Sequence, residues 1–202
     1  MILNDDGIVV VGHFSKINNY QPANGSNNFI ARLMSDGSTD IGFNTPTLSR
    51  PLSSVAAFSN GRLMITSAEL LGNFVNAPLK LLENGQIDSS YSRNQILGSL
   101  FSGVLLLDDG KALCTGELVS PLYSATRGGL TRFDRLGNID PTFDSSSSNL
   151  NGASISIKLS NEKILVSGFF DGRSVIRLNN DSNDFCVPIV TRAQAKIFVI
   201  CL

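Results

Sequence analysis

The fold class predicted by the 202-residue sequence is all-β, a propeller-like array of four to five antiparallel repeats of about 50 residues. Three observations carry this expectation. An apolar strand, a polar turn and a second apolar strand recur four times along the chain. The turn residues Gly7, Gly61 and Gly110 lie 54 and 49 residues apart, and Glu162 follows 52 residues later. Each copy then continues into a second half-unit built around a single Arg or Lys. Asn-Gly and Asp-Gly between apolar runs point to hairpins, because their turns need positive φ at a central position.

Copy one, about residues 1–44, reads Leu3-Asn-Asp-Asp-Gly7-Ile-Val-Val-Val11, then Gly12-His13, then Ile30-Ala-Arg-Leu33, Ser35-Asp-Gly37 and Asp40 to Phe43. Copy two, about 52–92, repeats this as Phe58-Ser-Asn-Gly61-Arg-Leu-Met-Ile65, Thr66-Ser67, Pro78-Leu-Lys-Leu81, Glu83-Asn-Gly85 and Asp88 to Tyr91. Copy three, about 100–144, has Leu107-Asp-Asp-Gly110-Lys-Ala-Leu-Cys114, Thr115-Gly116, Leu130-Thr-Arg-Phe133, Arg135-Leu-Gly137 and Asp140 to Phe143. In copy four, about 152–181, Leu159-Ser-Asn-Glu162-Lys-Ile-Leu-Val166 is followed by Ser167-Gly168, Val175-Ile-Arg-Leu178 and Asn179-Asn180, without the Asp-x-x-aromatic ending. Three strands per copy are expected on this pattern, and a fourth leaves little trace. Residues 185–202 read as a degenerate C-terminal unit in which Lys196-Ile-Phe-Val resembles the Lys-Ile-Leu-Val strand of copy four.

The pattern D-G-K-[IA]-L-V-x-G followed by x-R-[LF]-x-x-x-G-x-[IL]-D-x-x-F resembles the delta-60 repeat, a bacterial propeller-type repeat of unknown function. The resemblance spans about residues 1–181 and is closest over Leu107 to Phe143 and Met1 to Phe43. It implies a fold, and a setting in secreted bacterial proteins or phage structural proteins, with no general catalytic assignment.

A chain of this length can bury one well-formed core, and tandem strand units usually form one body, so residues 1–202 are expected to be a single domain. Sixteen basic against 17 acidic residues leave a net charge of −1, with Lys and Arg scattered singly, which argues against nucleic acid or an anionic membrane surface as partner. Cys114, Cys186 and Cys201 form neither an even disulfide framework nor a Cys-x-x-Cys ligand pair, so no cofactor or metal is expected from them. No apolar run approaches membrane-helix length, and the first residues lack a signal peptide's basic start and apolar core. The implied setting is nonetheless extracellular, on a cell surface or on a virion.

Copy one lacks the strand that precedes the turn in the others, and the tail ends inside an apolar run. Two arrangements fit: the C-terminal strands close a small ring onto Gly7 to Val11, or the chain is an excerpt of a longer array whose unpaired edges favour self-association. Residues 181–184 are the one convincing linker.

Chemistry is sparse. Arg32, Lys80 and Arg132 each precede an Asp by eight residues, as Asp40, Asp88 and Asp140, an offset that suits a repeated structural ion pair. The Asp-rich turns lack the remainder of a calcium loop and are explained by turn chemistry. His13, the one histidine, aligns by this reading with Ser67, Gly116 and Gly168. It has no second ligand nearby for a metal and no Gly-x-Ser-x-Gly nucleophile, so no catalytic residue is assigned. The absence of tryptophan removes WD40 blades, the Asp-boxes of sialidases and the docking motif of quinoprotein dehydrogenases.

What varies is the loop joining the half-units, with spans of 19, 13, 16 and 9 residues from the second small residue to the basic one. In a propeller such loops share a face, and insertions there mark partner-binding surfaces. Tyr20, Phe74 and Tyr123 each stand among Asn, Ser or Gly, with Arg127 nearby, a mixture that provides contact area and adaptable hydrogen bonds. With His13 these are the candidate partner-binding residues. The function expected is a non-enzymatic interaction or structural module meeting a protein or glycan partner. The alternatives are a hydrolase or lyase using His13 with carboxylates, and a piece of a larger repeat protein with its function elsewhere.

Overall fold

A computed structural model describes residues 1–14, 16–18, 28–45, 47–48, 51–66, 78–92, 100–117, 129–143, 153–159, 163–170, 173–178 and 185–191. Every named element is a strand, as the short apolar runs on either side of polar turns predict. In chain order these are β1 (Ile8–Phe14), β2 (Asn28–Leu33), β3 (Ser54–Ala57), β4 (Leu63–Thr66), β5 (Leu79–Leu81), β6 (Leu100–Leu106), β7 (Ala112–Glu117), β8 (Leu130–Phe133), β9 (Ala153–Lys158), β10 (Ile164–Phe170), β11 (Arg173–Leu178) and β12 (Phe185–Thr191). They form four antiparallel sheets ordered β1-β2, β3-β4-β5, β6-β7-β8 and β9-β10-β11-β12. One sheet falls on each sequence copy.

Neighbouring sheets stack face to face. Side chains alternate along each central strand, so one face meets the preceding sheet and the other the following one. On β4, Leu63 and Ile65 join Val9, Ile30 and Phe43 of the first sheet, while Met64 on the opposite face joins Ala112, Cys114 and Phe133 of the third. On β7, Leu113 joins Ile164, Val166, Ile176 and Leu178 of the fourth. Burial on both faces explains why these strands read as continuous apolar runs. The first strands of the three-stranded and four-stranded sheets, β3, β6 and β9, lie side by side at the inner edge.

The turns correct the alignment of copy one. Gly61 and Gly110 take positive φ of 77° and 78°, but in copy one that conformation falls on Asp6, at φ 60°. Backbone bonds agree: Asp6 N donates to Leu3 O as Gly61 N does to Phe58 O and Gly110 N to Leu107 O. Asp tolerates the left-handed region because its short side chain bonds locally, so the turn shifts by one and Gly7 occupies the place of Arg62 and Lys111. His13 then corresponds to Ala68, Glu117 and Phe169, and Gly12 to Gly116, which share φ of 149° and 140°.

The C-terminal segment also departs from expectation. Residues 185–191 form no separate unit; β12 pairs with β11 as the fourth strand of the last sheet, with Leu178 opposite Phe185 and Arg177 opposite Cys186. Asp40, Asp88 and Asp140 hold the same place beside Arg32, Lys80 and Arg132, donating their N–H groups to those residues' carbonyls. Cys186 therefore stands in register where the other copies have Asp. The pairing of residues 196–202 with Gly7 to Val11 lies outside the described residues, as does the linker 181–184.

Candidate functional site

The two ends of the sheet stack differ in kind. At one end lie the tight turns, tied to one another across sheets. Asn4 Nδ2 donates to Ser59 O at 3.2 Å, Asn44 N to Asn84 O at 2.7 Å and Ser92 N to Leu136 O at 2.5 Å. Gly85 and Gly137, at φ 84° and 89°, let the preceding copy's chain lie directly on the turn. A Cβ at Gly85 would come within 3.0 Å of Asn44 O, and one at Gly137 within 2.8 Å of the Tyr91 ring.

The same end holds the repeated ion pair, which forms within each of the first three units. Arg32 Nε donates to Asp40 Oδ2 at 2.6 Å and Arg132 Nε to Asp140 Oδ2 at 2.8 Å, while Lys80 Nζ stands 3.9 Å from Asp88 Oδ2. The other carboxylate oxygen accepts the N–H two residues on, from Gly42, Ser90 or Thr142, at 2.9, 3.1 and 3.0 Å. The aromatic three residues after the Asp lies beneath the cation: Arg32 is 5.1 Å from the Phe43 ring centroid, Lys80 5.8 Å from Tyr91 and Arg132 4.9 Å from Phe143. A second cation from the first turn joins in copies two and three, Arg62 at 3.1 Å and Lys111 at 2.9 Å. Gly7 supplies none in copy one.

These contacts set each carboxyl group's pKa. The Ser90 hydroxyl is the largest influence on Asp88 and lowers it against a smaller opposing cost of burial, with Lys80 and Arg62 adding to the lowering. For Asp140 burial is the largest single influence and raises it. The Thr142 hydroxyl, Lys111 and Arg132 together outweigh it and hold the carboxyl well below the usual range. Acids this firmly ionised are fasteners rather than proton donors.

At the opposite end the strands that precede the variable segments finish. Val104 N on β6 donates to Ser54 Oγ at the start of β3 at 3.3 Å, and Thr115 Oγ1 on β7 to Ser154 O at the start of β9 at 3.0 Å. Because β4, β7 and β10 run antiparallel to β3, β6 and β9, all three finish at this hydroxyl-lined end. Thr66 Oγ1 is buried there without a hydrogen-bond partner among the described residues. The first loop behaves differently: Asn18, at φ 51°, donates Nδ2 to Gly37 O at 2.9 Å and so turns back along its sheet toward the other end.

Of the sequence candidates, His13 lies on β1 as an exposed side chain, its ring centroid 5.7 Å from that of Phe29. Tyr20, Phe74, Tyr123 and Arg127 fall outside the described residues. Among the described residues no group of three or more His, Cys, Asp and Glu is placed to hold a metal ion. Cys114 is a buried core residue whose thiol is pushed up by burial. Thr66 was legible as one of the small residues that recur after each hairpin, but Ser54 and Ser154, at the starts of β3 and β9, were missed because the two hold no common place in the repeat. No helix among the described residues is long and apolar enough to cross a membrane.

Four stacked antiparallel sheets, joined turn to turn, are the arrangement of propeller blades. Residues 3–43 match a β-propeller domain of unknown function, DUF5122. That match supports a β-propeller repeat of unknown function and covers the first copy. Among solved structures, a protein of unknown function from Bacteroides caccae is similar with a TM-score of 0.49 at 13% identity, over 90% of this chain and 57% of that one. The chain thus spans little more than half the length of that protein. No curated protein matches the chain.

Proposed function

We propose that this β-propeller-type chain is a non-enzymatic interaction or structural module of a secreted, cell-surface or virion protein, meeting a protein or glycan partner through its inter-strand loops. The observation that carries the reading is the division of labour between the two ends. At the turn end the same ion pair, carboxylate-capped turn and stacked aromatic recur, and Asp40, Asp88 and Asp140 are each committed to a cation of their own unit. At the other end β4, β7 and β10 finish on one side, and the sequences that follow them change in length and composition from copy to copy. A constant frame with variable loops gathered at one end is how scaffolds present binding residues. The delta-60 resemblance supports the extracellular or virion setting.

The test replaces residues 118–128 with a short Asn-Gly turn and, separately, makes Tyr123→Ala and Arg127→Ala. Each protein is then screened on glycan and surface-protein arrays. Binding is expected to fall at least tenfold with little change in melting temperature. Binding that is indifferent to these changes, or a hydrolytic or lyase activity abolished by His13→Ala, would overturn the reading.

A further inference from the structure

The three internal sheet-to-sheet contacts follow one rule, and the two terminal sheets each expose one half of it. On the trailing face of the first three sheets, Val9, Met64 and Leu113 are covered to 1% exposure or less; Leu165, their counterpart in the fourth sheet, is only half-buried. Ile157 lies beside Leu165 on this face at 56% exposure, whereas its counterpart Leu105 packs into the core shared with the fourth sheet. On the leading face, Leu63, Ile65 and Leu81 are covered to 1% or less, yet their counterparts Ile8, Val10 and Leu33 in the first sheet are half-buried. Ile2, paired with Ile8 on that face, is 73% exposed. Gly85 and Gly137 are overlaid by the preceding copy's chain, but a Cβ at Gly37, their counterpart, would meet nothing within 4 Å.

Charge is matched across the same two surfaces. Arg177, at the place of Arg32 and Arg132, has a buried Nε without a hydrogen-bond partner among the described residues, and the residue opposite it in backbone register is Cys186. Arg32 reaches across its interface, Nη1 donating at 2.8 Å to Glu83 O in the next unit's second turn. In the first sheet that turn is Ser35-Asp36-Gly37, and it carries the exposed carboxylate of Asp36.

We propose that the occupant of the fourth sheet's trailing face is the first sheet of a second copy of this chain, joined head to tail. Ile157 and Leu165 of one copy then pack on Ile2, Ile8 and Leu33 of the next, and Arg177 faces the Ser35–Gly37 turn with Asp36. This is stacking of sheet faces, not pairing of strand edges. Being heterologous, it continues into short chains of molecules as concentration rises.

The experiment uses the whole chain, with Ile2→Glu and Ile157→Glu as variants, both at sites exposed enough to leave the fold intact as checked by circular dichroism. Sedimentation equilibrium and light scattering follow mass against concentration. The wild type is expected to grow past dimer, each variant alone to remain a monomer, and an equimolar mixture of the two to stop at a dimer, because one supplies a sound trailing face and the other a sound leading face. Asp36→Arg is expected to weaken wild-type association at least fivefold and Arg177→Asp to restore it in that background. A wild type that is monomeric at every soluble concentration overturns the proposal. So does association that survives either Glu substitution, or a mixture that fails to form the dimer.

Discussion

At the scale of single residues, the most telling position is the aromatic that ends each Asp-x-x-aromatic segment. Phe43 and Phe143 present only hydrocarbon to their cores, but Tyr91 puts a hydroxyl into the core between the second and third sheets. That hydroxyl is buried without a hydrogen-bond partner among the described residues, and burial raises its pKa. An unsatisfied buried hydroxyl costs roughly 1–3 kcal/mol, so Tyr91→Phe is expected to stabilise the chain by about 1 kcal/mol, read as a rise of a few degrees in melting temperature. Asp140 is the converse case. Its carboxylate neutralises Arg132, and both side chains are nearly inaccessible, at 6% and 5% exposure. Asp140→Asn leaves that guanidinium buried without its carboxylate, a loss of about 3 kcal/mol at neutral pH in chemical denaturation. The sign with pH follows from a folded pKa depressed below the unfolded value of about 4. The stabilisation is complete above that value and fades as pH falls toward the folded one. The wild type should therefore lose stability in acid more steeply than Asp140→Asn.

At the scale of strands and turns, the chain was most legible where one local rule determines the outcome. The Asp-Gly and Asn-Gly turns and the apolar runs located the hairpins because positive φ and two-sided burial leave few residue choices. Copy one misled by a single residue because Asp6 adopts the conformation that glycine takes at Gly61 and Gly110. The neighbouring Gly7 carried the expected letter in the wrong place. The fourth strand of the last sheet left no pattern for a different reason: β12 keeps the backbone pairing of the Asp segments but not their carboxylate. The loop end was legible only as variation in length, since contact residues there obey no period. Restoring the missing acid tests this account. Cys186→Asp places a carboxylate opposite Arg177, in the register of Asp40, Asp88 and Asp140, and is expected to raise stability by about 1 kcal/mol in urea titrations. A destabilised variant would show that β12 does not substitute for the Asp segments.

For the molecule as a whole, cohesion is a series of neighbour contacts. Three core clusters join the first sheet to the second, the second to the third and the third to the fourth. Stability in such a stack is a sum of unit and interface contributions, so damage stays local. Leu113 is fully buried and faces the fourth sheet. Leu113→Ala is expected to cost about 3 kcal/mol and to speed amide hydrogen exchange in β6 to β12 while β1 to β5 keep most of their protection. Uniform loss of protection across all twelve strands would instead mark a single cooperative unit.

The alternation of faces along β4 and β7 has a consequence for how such a chain can change over generations. Every internal sheet offers its predecessor and its successor the same two surfaces, so deleting or duplicating one 50-residue unit brings together partners already shaped to meet. Gene slippage at the unit boundary then yields a foldable product in one step, and length becomes a freely inherited variable rather than a fixed trait.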